Sequence, residues 1–139
     1  MRKLFIGLFI IANISLLSCT KEGNYIPDVP VNFNVPINDP RVSRLQSPGG
    51  AVAIGGYGVS GLILYRKSDG EIVAYDRCSS VNPQSKCAVN LDDPTITATD
   101  PCSGAIFLLN DGSPAKAPAT KPLRKYLVTV TSSQISVIN

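Results

Sequence analysis

Apolar positions come in short bursts along this chain, and their period is two or one, not 3.6. Val31, Phe33 and Val35 alternate with Asn32 and Asn34, which predicts a strand with one buried face. Pro27, Pro30, Pro36 and Pro40 surround it, and proline suits the edge of a sheet. Ala51–Ile54 is an apolar run between glycine pairs. Gly61–Lys67 and Glu71–Asp76 flank Ser68-Asp69-Gly70, a turn signal that predicts a hairpin. Ile96–Ala98 predicts a short strand, and Ala105–Leu109 leads into a second turn, Asn110-Asp111-Gly112. Leu127–Thr131 and Ile135–Ile138 flank Ser132–Gln134 and predict a closing hairpin. No internal repeat is visible, and no stretch after residue 18 carries a helical stripe. Many β-branched residues with a turn every ten or so positions predict an all-β fold, a sandwich or small barrel.

The first nineteen residues differ. Arg2 and Lys3 precede Leu4–Leu17, apolar apart from Gly7, Asn13 and Ser15, and Ser18-Cys19 follows. A charged start, an apolar core and a small residue make an export signal, shorter than the roughly 20 residues of a membrane-spanning helix. Leu16-Leu17-Ser18-Cys19 resembles the lipobox of bacterial lipoproteins. The resemblance implies cleavage before Cys19 and acylation (palmitate among the chains) of its thiol. Two or three acyl chains, at about 0.8 kcal/mol per buried methylene, would anchor the chain firmly to a membrane. The expected location is the cell envelope: outer membrane, periplasmic or surface face. Lys21-Glu22 is similar to the short charged signals that send some lipoproteins to the cell surface, and reads equally as a solvated tether. The expected organisation is a signal peptide at 1–18, a lipidated Cys19 with a Pro-rich tether and edge strand over 19–40, and a β-domain over 41–139.

Composition narrows the chemistry. Without residues 1–18, 121 of the 139 residues remain, enough for one domain with its own core. Thirteen Lys and Arg face ten Asp and Glu. Loss of Arg2 and Lys3 leaves a charge of +1, which gives no footprint for nucleic acid. The chain has no histidine, and so lacks the commonest general base and a favoured metal ligand. Of four cysteines, Cys19 is reserved for lipid. Cys78, Cys87 and Cys102 remain, which in an oxidising envelope means one disulfide and one spare thiol.

Two segments then stand out. One is Cys78-Ser79-Ser80-Val81-Asn82-Pro83-Gln84-Ser85-Lys86-Cys87. The other is Asp100-Pro101-Cys102-Ser103-Gly104-Ala105-Ile106-Phe107, which continues through Asn110-Asp111-Gly112 to Ala117-Pro118-Ala119, Pro122-Leu123 and Tyr126. Over residues 48–139 this order resembles the Rieske [2Fe-2S] family. That family reads Cys-x-His-x-x-Cys in a first loop and Cys-Pro-Cys-His-Gly-Ser-x-Phe in a second, with Asp-x-x-Gly, Gly-Pro-Ala and Leu-x-x-Tyr downstream. The resemblance implies small antiparallel sheets or a barrel with two Cys-bearing loops. Two cysteines and two histidines hold the family's cluster. Here Cys78 matches the first ligand cysteine, Ser80 the first histidine, Asp100 the second ligand cysteine and Ser103 the second histidine. Three of the four ligands are therefore replaced. Cys87 and Cys102 match the pair that forms a disulfide between the loops in some members; Cys78–Cys102 and Cys78–Cys87 are the competing pairings.

The expected function is a lipid-anchored envelope protein, not an enzyme, with no catalytic residue, no metal and no cofactor. It would act as a binding or structural module, with a membrane and a possible envelope protein as partners. The alternative is an electron-transfer protein with an atypical [2Fe-2S] cluster or a metal held by Cys78, Cys87, Cys102 and Asp100, since three sulfurs and a carboxylate can bind zinc. Nucleophilic catalysis by Cys78, Ser79, Ser80 or Ser103 wants a base that the chain lacks. Gly55-Gly56-Tyr57-Gly58 has no following Gly-Lys-Ser/Thr and reads as a turn, not a phosphate loop. Tyr57, Tyr65 and Tyr75 read as core packing before they read as a binding face, and Arg124-Lys125 reads as a solvated strand end.

Overall fold

The computed structural model describes residues 25–139. The expected signal segment, Cys19 and Lys21-Glu22 lie outside the described residues. Strands β3 (Leu62–Arg66) and β4 (Ile72–Asp76) form the central hairpin, with Leu62 opposite Asp76 and Arg66 opposite Ile72. Its turn closes through the amide of Gly70 on the carbonyl of Lys67, while the Asp69 carboxylate accepts the Glu71 amide. Strands β1 (Asn32–Pro36), β2 (Ala51–Ile54), β9 (Lys125–Val130) and β10 (Gln134–Ile138) extend the hairpin into an antiparallel sheet. Its order is β1-β10-β9-β4-β3-β2, which places the proline-flanked β1 at one edge. A second antiparallel sheet, β5-β6-β7-β8, is built from Asn90–Leu91, Thr97–Thr99, Ile106–Leu108 and Pro114–Lys116.

The all-β fold expected from the pattern is the fold observed. Helical structure among the described residues is confined to two 3-10 segments, Pro40–Gln46 and Pro83–Ser85. The first is capped by the Asp39 carboxylate on the Arg41 amide, and it buries Val42 and Leu45. Strands β5 and β8 have no counterpart among the predicted elements. They are two and three residues long and mostly polar or proline-bearing, too short for a period to show.

The run Leu62-Ile63-Leu64-Tyr65 is apolar at every position because β3 is covered on both faces. Leu62 and Leu64, with Ile72 and Ala74 of β4, pack against Phe33, Val35, Val42, Leu45, Ile135 and Val137. Ile63 and Tyr65, with Val73 and Tyr75, pack against Ala98, Phe107, Leu109 and Leu123 on the side of the small sheet. The three tyrosines do not make one face. Tyr65 and Tyr75 belong to the second core, whereas Tyr57 packs on the first with its ring 5.1 Å from Phe33, edge to face.

One polar group sits where these layers meet. Asp76 ends β4 with no exposure to solvent. Its Oδ2 accepts the Val59 amide at 2.7 Å and the Tyr126 hydroxyl at 2.7 Å. Its Oδ1 accepts the Ser60 amide at 3.2 Å and the Cys78 amide at 2.7 Å. The carboxylate thereby fastens the 55–61 turn, the start of the first Cys-bearing loop and β9. Gly58 is required there: its φ is +62°, and a Cβ would fall 2.3 Å from Asp76 Oδ2. Arg124 is likewise not a loose strand end. Its guanidinium donates to the carbonyls of Ile26 and Pro27 and to Asp28, and so pins residues 26–28 beside β9. Removing a buried acceptor leaves each of its donors unsatisfied at about 1–3 kcal/mol. Asp76→Ala should therefore lower the unfolding free energy by about 3 kcal/mol or more, read from urea denaturation. A loss under about 1 kcal/mol would show that the carboxylate is dispensable.

Candidate functional site

The first loop leaves β4 at Arg77 and returns at Val89, whose amide donates to the Arg77 carbonyl. Cys78 pairs across it with Ala88 as an isolated bridge, and the Ser79 amide donates to the Cys87 carbonyl at 2.9 Å. Its tip is the 3-10 turn Pro83–Ser85, ended by Lys86 at φ 53°. The second loop joins β6 to β7. It closes on itself through the Asp100 amide on the Ala105 carbonyl and the Gly104 amide on the Asp100 carbonyl, both 2.8 Å.

Two links join the loops. Cys87 and Cys102 form a disulfide, with their Cα atoms 6.4 Å apart and a sequence separation of 15. Closing a loop of that size stabilises by roughly 3 kcal/mol in the chain-entropy account. The pairing suggested by the family resemblance is the one present, and Cys78–Cys102 and Cys78–Cys87 are not formed. The second link is the buried carboxylate of Asp100. Oδ2 accepts the hydroxyls of Ser79 and Ser103, each at 2.6 Å, and Oδ1 accepts the Cys102 amide at 2.8 Å. Each serine also relays: Ser79 Oγ accepts the Val81 amide and Ser103 Oγ accepts the Ala105 amide. Burial alone would raise the Asp100 pKa. The hydrogen bonds from Ser103, Ser79 and the Cys102 amide outweigh it and hold the carboxyl below the ordinary aspartate value.

The four positions matched to cluster ligands have separate fates. Asp100 and Ser103 bond to each other. Ser80 turns away and donates to the Lys121 carbonyl at 2.6 Å. Its neighbour Ser79, which sequence reasoning did not single out for this role, makes the contact to Asp100. Cys78 is a buried free thiol near the carbonyls of Ser79 and Pro83. Burial, and then the charge of Asp76, push its pKa up, which disfavours the thiolate that both metal binding and nucleophilic attack need.

This arrangement does not fit a cluster held by two cysteines and two histidines. The sulfurs of Cys87 and Cys102 lie with an Asp100 oxygen inside 4.8 Å of one another. Those sulfurs share a covalent bond and are not thiolates. Cys78 is not part of that group. Nor do the serines form a nucleophilic centre: Ser79 and Ser103 donate to an aspartate held ionised, which is a weak base.

A small all-β domain whose two Cys-bearing loops are stapled together at one end defines the class, and the fold itself is the Rieske fold. The chain is similar to the cyanobacterial plasma membrane Rieske protein PetC3 from Synechocystis PCC 6803, with a TM-score of 0.57 and 24% identity over 74% of this chain and 97% of that one. It is similar to the Sphingomonas yanoikuyae B1 ferredoxin, with a TM-score of 0.50 and 20% identity over 73% of this chain and 99% of that one. No protein-family model matches the chain, and no curated protein matches it.

The depressed pKa of Asp100 has a stability consequence. Because the folded value lies below the unfolded one, near 3.9, the contribution is fully present above about pH 4. It is lost as the pH falls through the folded value. Asp100→Asn should be less stable than the parent at pH 7, and the gap should narrow on acidification below pH 4. Urea midpoints across pH 2–7 check this; a gap independent of pH would show that ionisation of Asp100 contributes nothing.

Proposed function

We propose that this chain is a lipid-anchored protein of the bacterial envelope. Its Rieske fold has given up the [2Fe-2S] cluster and acts as a non-catalytic binding or structural module. The observation that carries the reading is the junction of the two loops. Where the family resemblance would put a cluster, a disulfide and an aspartate with two serines join the same loops. The redox alternative needs Cys78, Cys87 and Cys102 as three convergent thiolates. A disulfide removes two of them, and burial keeps the third protonated. The anchor rests on residues 1–19 alone: the charged start, the apolar core and Leu16-Leu17-Ser18-Cys19.

Two measurements test the two halves separately. Protein purified without oxygen should contain no stoichiometric iron and show no visible absorption. A [2Fe-2S] spectrum at one cluster per chain would overturn the loss of the cluster. In a bacterial host fed radiolabelled palmitate, the chain should take up label and partition into detergent. Cys19→Ser should abolish both; label retained by that variant would overturn the anchor.

A further inference from the structure

Tyr25 is the first described residue, and its place in the fold is fixed. Its hydroxyl donates to the Pro122 carbonyl, and the Lys121 ammonium lies 4.7 Å from the centre of its ring. Ile26, next in the chain, is buried, and the Arg124 guanidinium donates to its carbonyl. Lys121 in turn touches the first Cys-bearing loop: its carbonyl accepts the Ser80 hydroxyl at 2.6 Å. The Arg124 carbonyl accepts the Asp76 amide, so residues 121–124 flank the end of β4 that leads into that loop. The N-terminal tether therefore joins the domain at the end that carries the two Cys-bearing loops. The hairpin turn Ser68-Asp69-Gly70 lies at the opposite end of β4.

Covalent reach makes this placement informative. From Cys19 to Tyr25 is six residue steps, and an extended chain of that length spans at most about 22 Å. A domain of roughly a hundred residues has a radius of gyration of about 13 Å and is about 30 Å across. A tether held in lipid at Cys19 is too short to run past the domain, so the end bearing Tyr25 has to face the lipid. Charge at that end agrees. Residues 116–125 hold Lys116, Lys121, Arg124 and Lys125 and no acid. Tyr25, Arg124 and Lys125 line one cavity of about 300 Å³. Arg124 is paired with Asp28, and Asp111 feels the charge of Lys125 without bonding to it. Among the described residues neither Lys121 nor Lys125 forms an ion pair. At the opposite end the turn sets Asp69 and Glu71 against the single cation Lys67. Anionic lipid attracts lysine and arginine clustered within a Debye length of its surface.

We propose that the end of the domain bearing Tyr25, Lys121 and Lys125 lies against an anionic phospholipid surface, with the turn at residues 67–71 pointing away from it. The proposal rests on the anchor at Cys19 and adds the orientation of the domain. It makes the joined loops membrane-proximal and leaves the hairpin end open to the envelope.

The test is lysine acetylation of the chain made in a bacterial host, read peptide by peptide by mass spectrometry with a neutral reagent. Rates are compared in a neutral detergent, on phosphatidylcholine vesicles and on vesicles that also contain phosphatidylglycerol. On the anionic vesicles Lys121 and Lys125 should react at least threefold more slowly than in detergent, while Lys67 should keep its rate. On phosphatidylcholine alone the slowing should be weaker. Unchanged rates at Lys121 and Lys125, equal slowing at Lys67, or protection as strong on phosphatidylcholine alone would overturn the proposal. The mass of the peptide containing Cys19 reports acylation in the same experiment, so failure of the anchor is seen separately. In that event the chain is coupled through Cys19 to a maleimide-bearing lipid and the same rates decide. Cys78 is buried and Cys87 and Cys102 are joined, which leaves Cys19 as the thiol to couple.

Discussion

A buried carboxylate must be met by hydrogen-bond donors, and the demand of Asp76 organises much of this domain. An isolated ionised group in an apolar interior costs several kcal/mol even after relaxation. Hydrogen bonds to a charged group return roughly 1.5–3 kcal/mol each. Four donors reach Asp76, three of them backbone amides from two separate turns and one the Tyr126 hydroxyl. The cost is offset only if the 55–61 turn, the first loop and β9 are all in place. The geometry of one side chain thus couples three distant stretches of sequence. It also explains Gly58, whose backbone must come too close to the carboxylate for any side chain.

Asp100 repeats that logic at the junction of the two loops with different consequences. Its donors are two hydroxyls and one amide, and the hydroxyls come from the two loops. Each serine passes its own lone pair to a further amide, so the carboxylate orders backbone on both sides of the junction. The neighbouring disulfide acts differently. It limits the distance between Cys87 and Cys102 and reduces the freedom of the unfolded chain, while leaving the orientation of the loops to the carboxylate.

The fold was legible from the sequence where periodicity and turn chemistry agreed. The hairpin at Ser68-Asp69-Gly70, the closing hairpin at Ser132–Gln134 and the edge strand over Val31–Val35 all follow local rules. The family frame of Pro101, Cys102, Gly104 and Phe107 pointed to the fold as a whole and to the cysteine pairing. Strands of two or three residues, β5 and β8, were not legible, because they exist by pairing with neighbours already in place. At the site, Asp100 and Ser103 were singled out by their match to the family's ligand positions. Ser79 was missed because one position in a loop decides which of two adjacent serines turns inward. Asp76 left a trace that was not used. It is an acid directly ending the apolar run Ile72-Val73-Ala74-Tyr75, where burial is to be expected and partners must be found. Arg124 left none, since its partners lie almost a hundred residues away in sequence.

The two links between the loops respond to different conditions, and this bears on what the junction is for. Reduction would open the disulfide and leave the hydrogen bonds to Asp100 in place. Acidification would protonate Asp100 and leave the disulfide closed. A metal cluster would bind the same loops through one set of bonds, all lost together with the metal. Here neither link needs a cofactor delivered to it. The disulfide forms wherever thiols are oxidised, and the carboxylate finds its donors as the loops close. Both links come from the chain's own residues, so the junction closes wherever the two loops fold and the two thiols are oxidised.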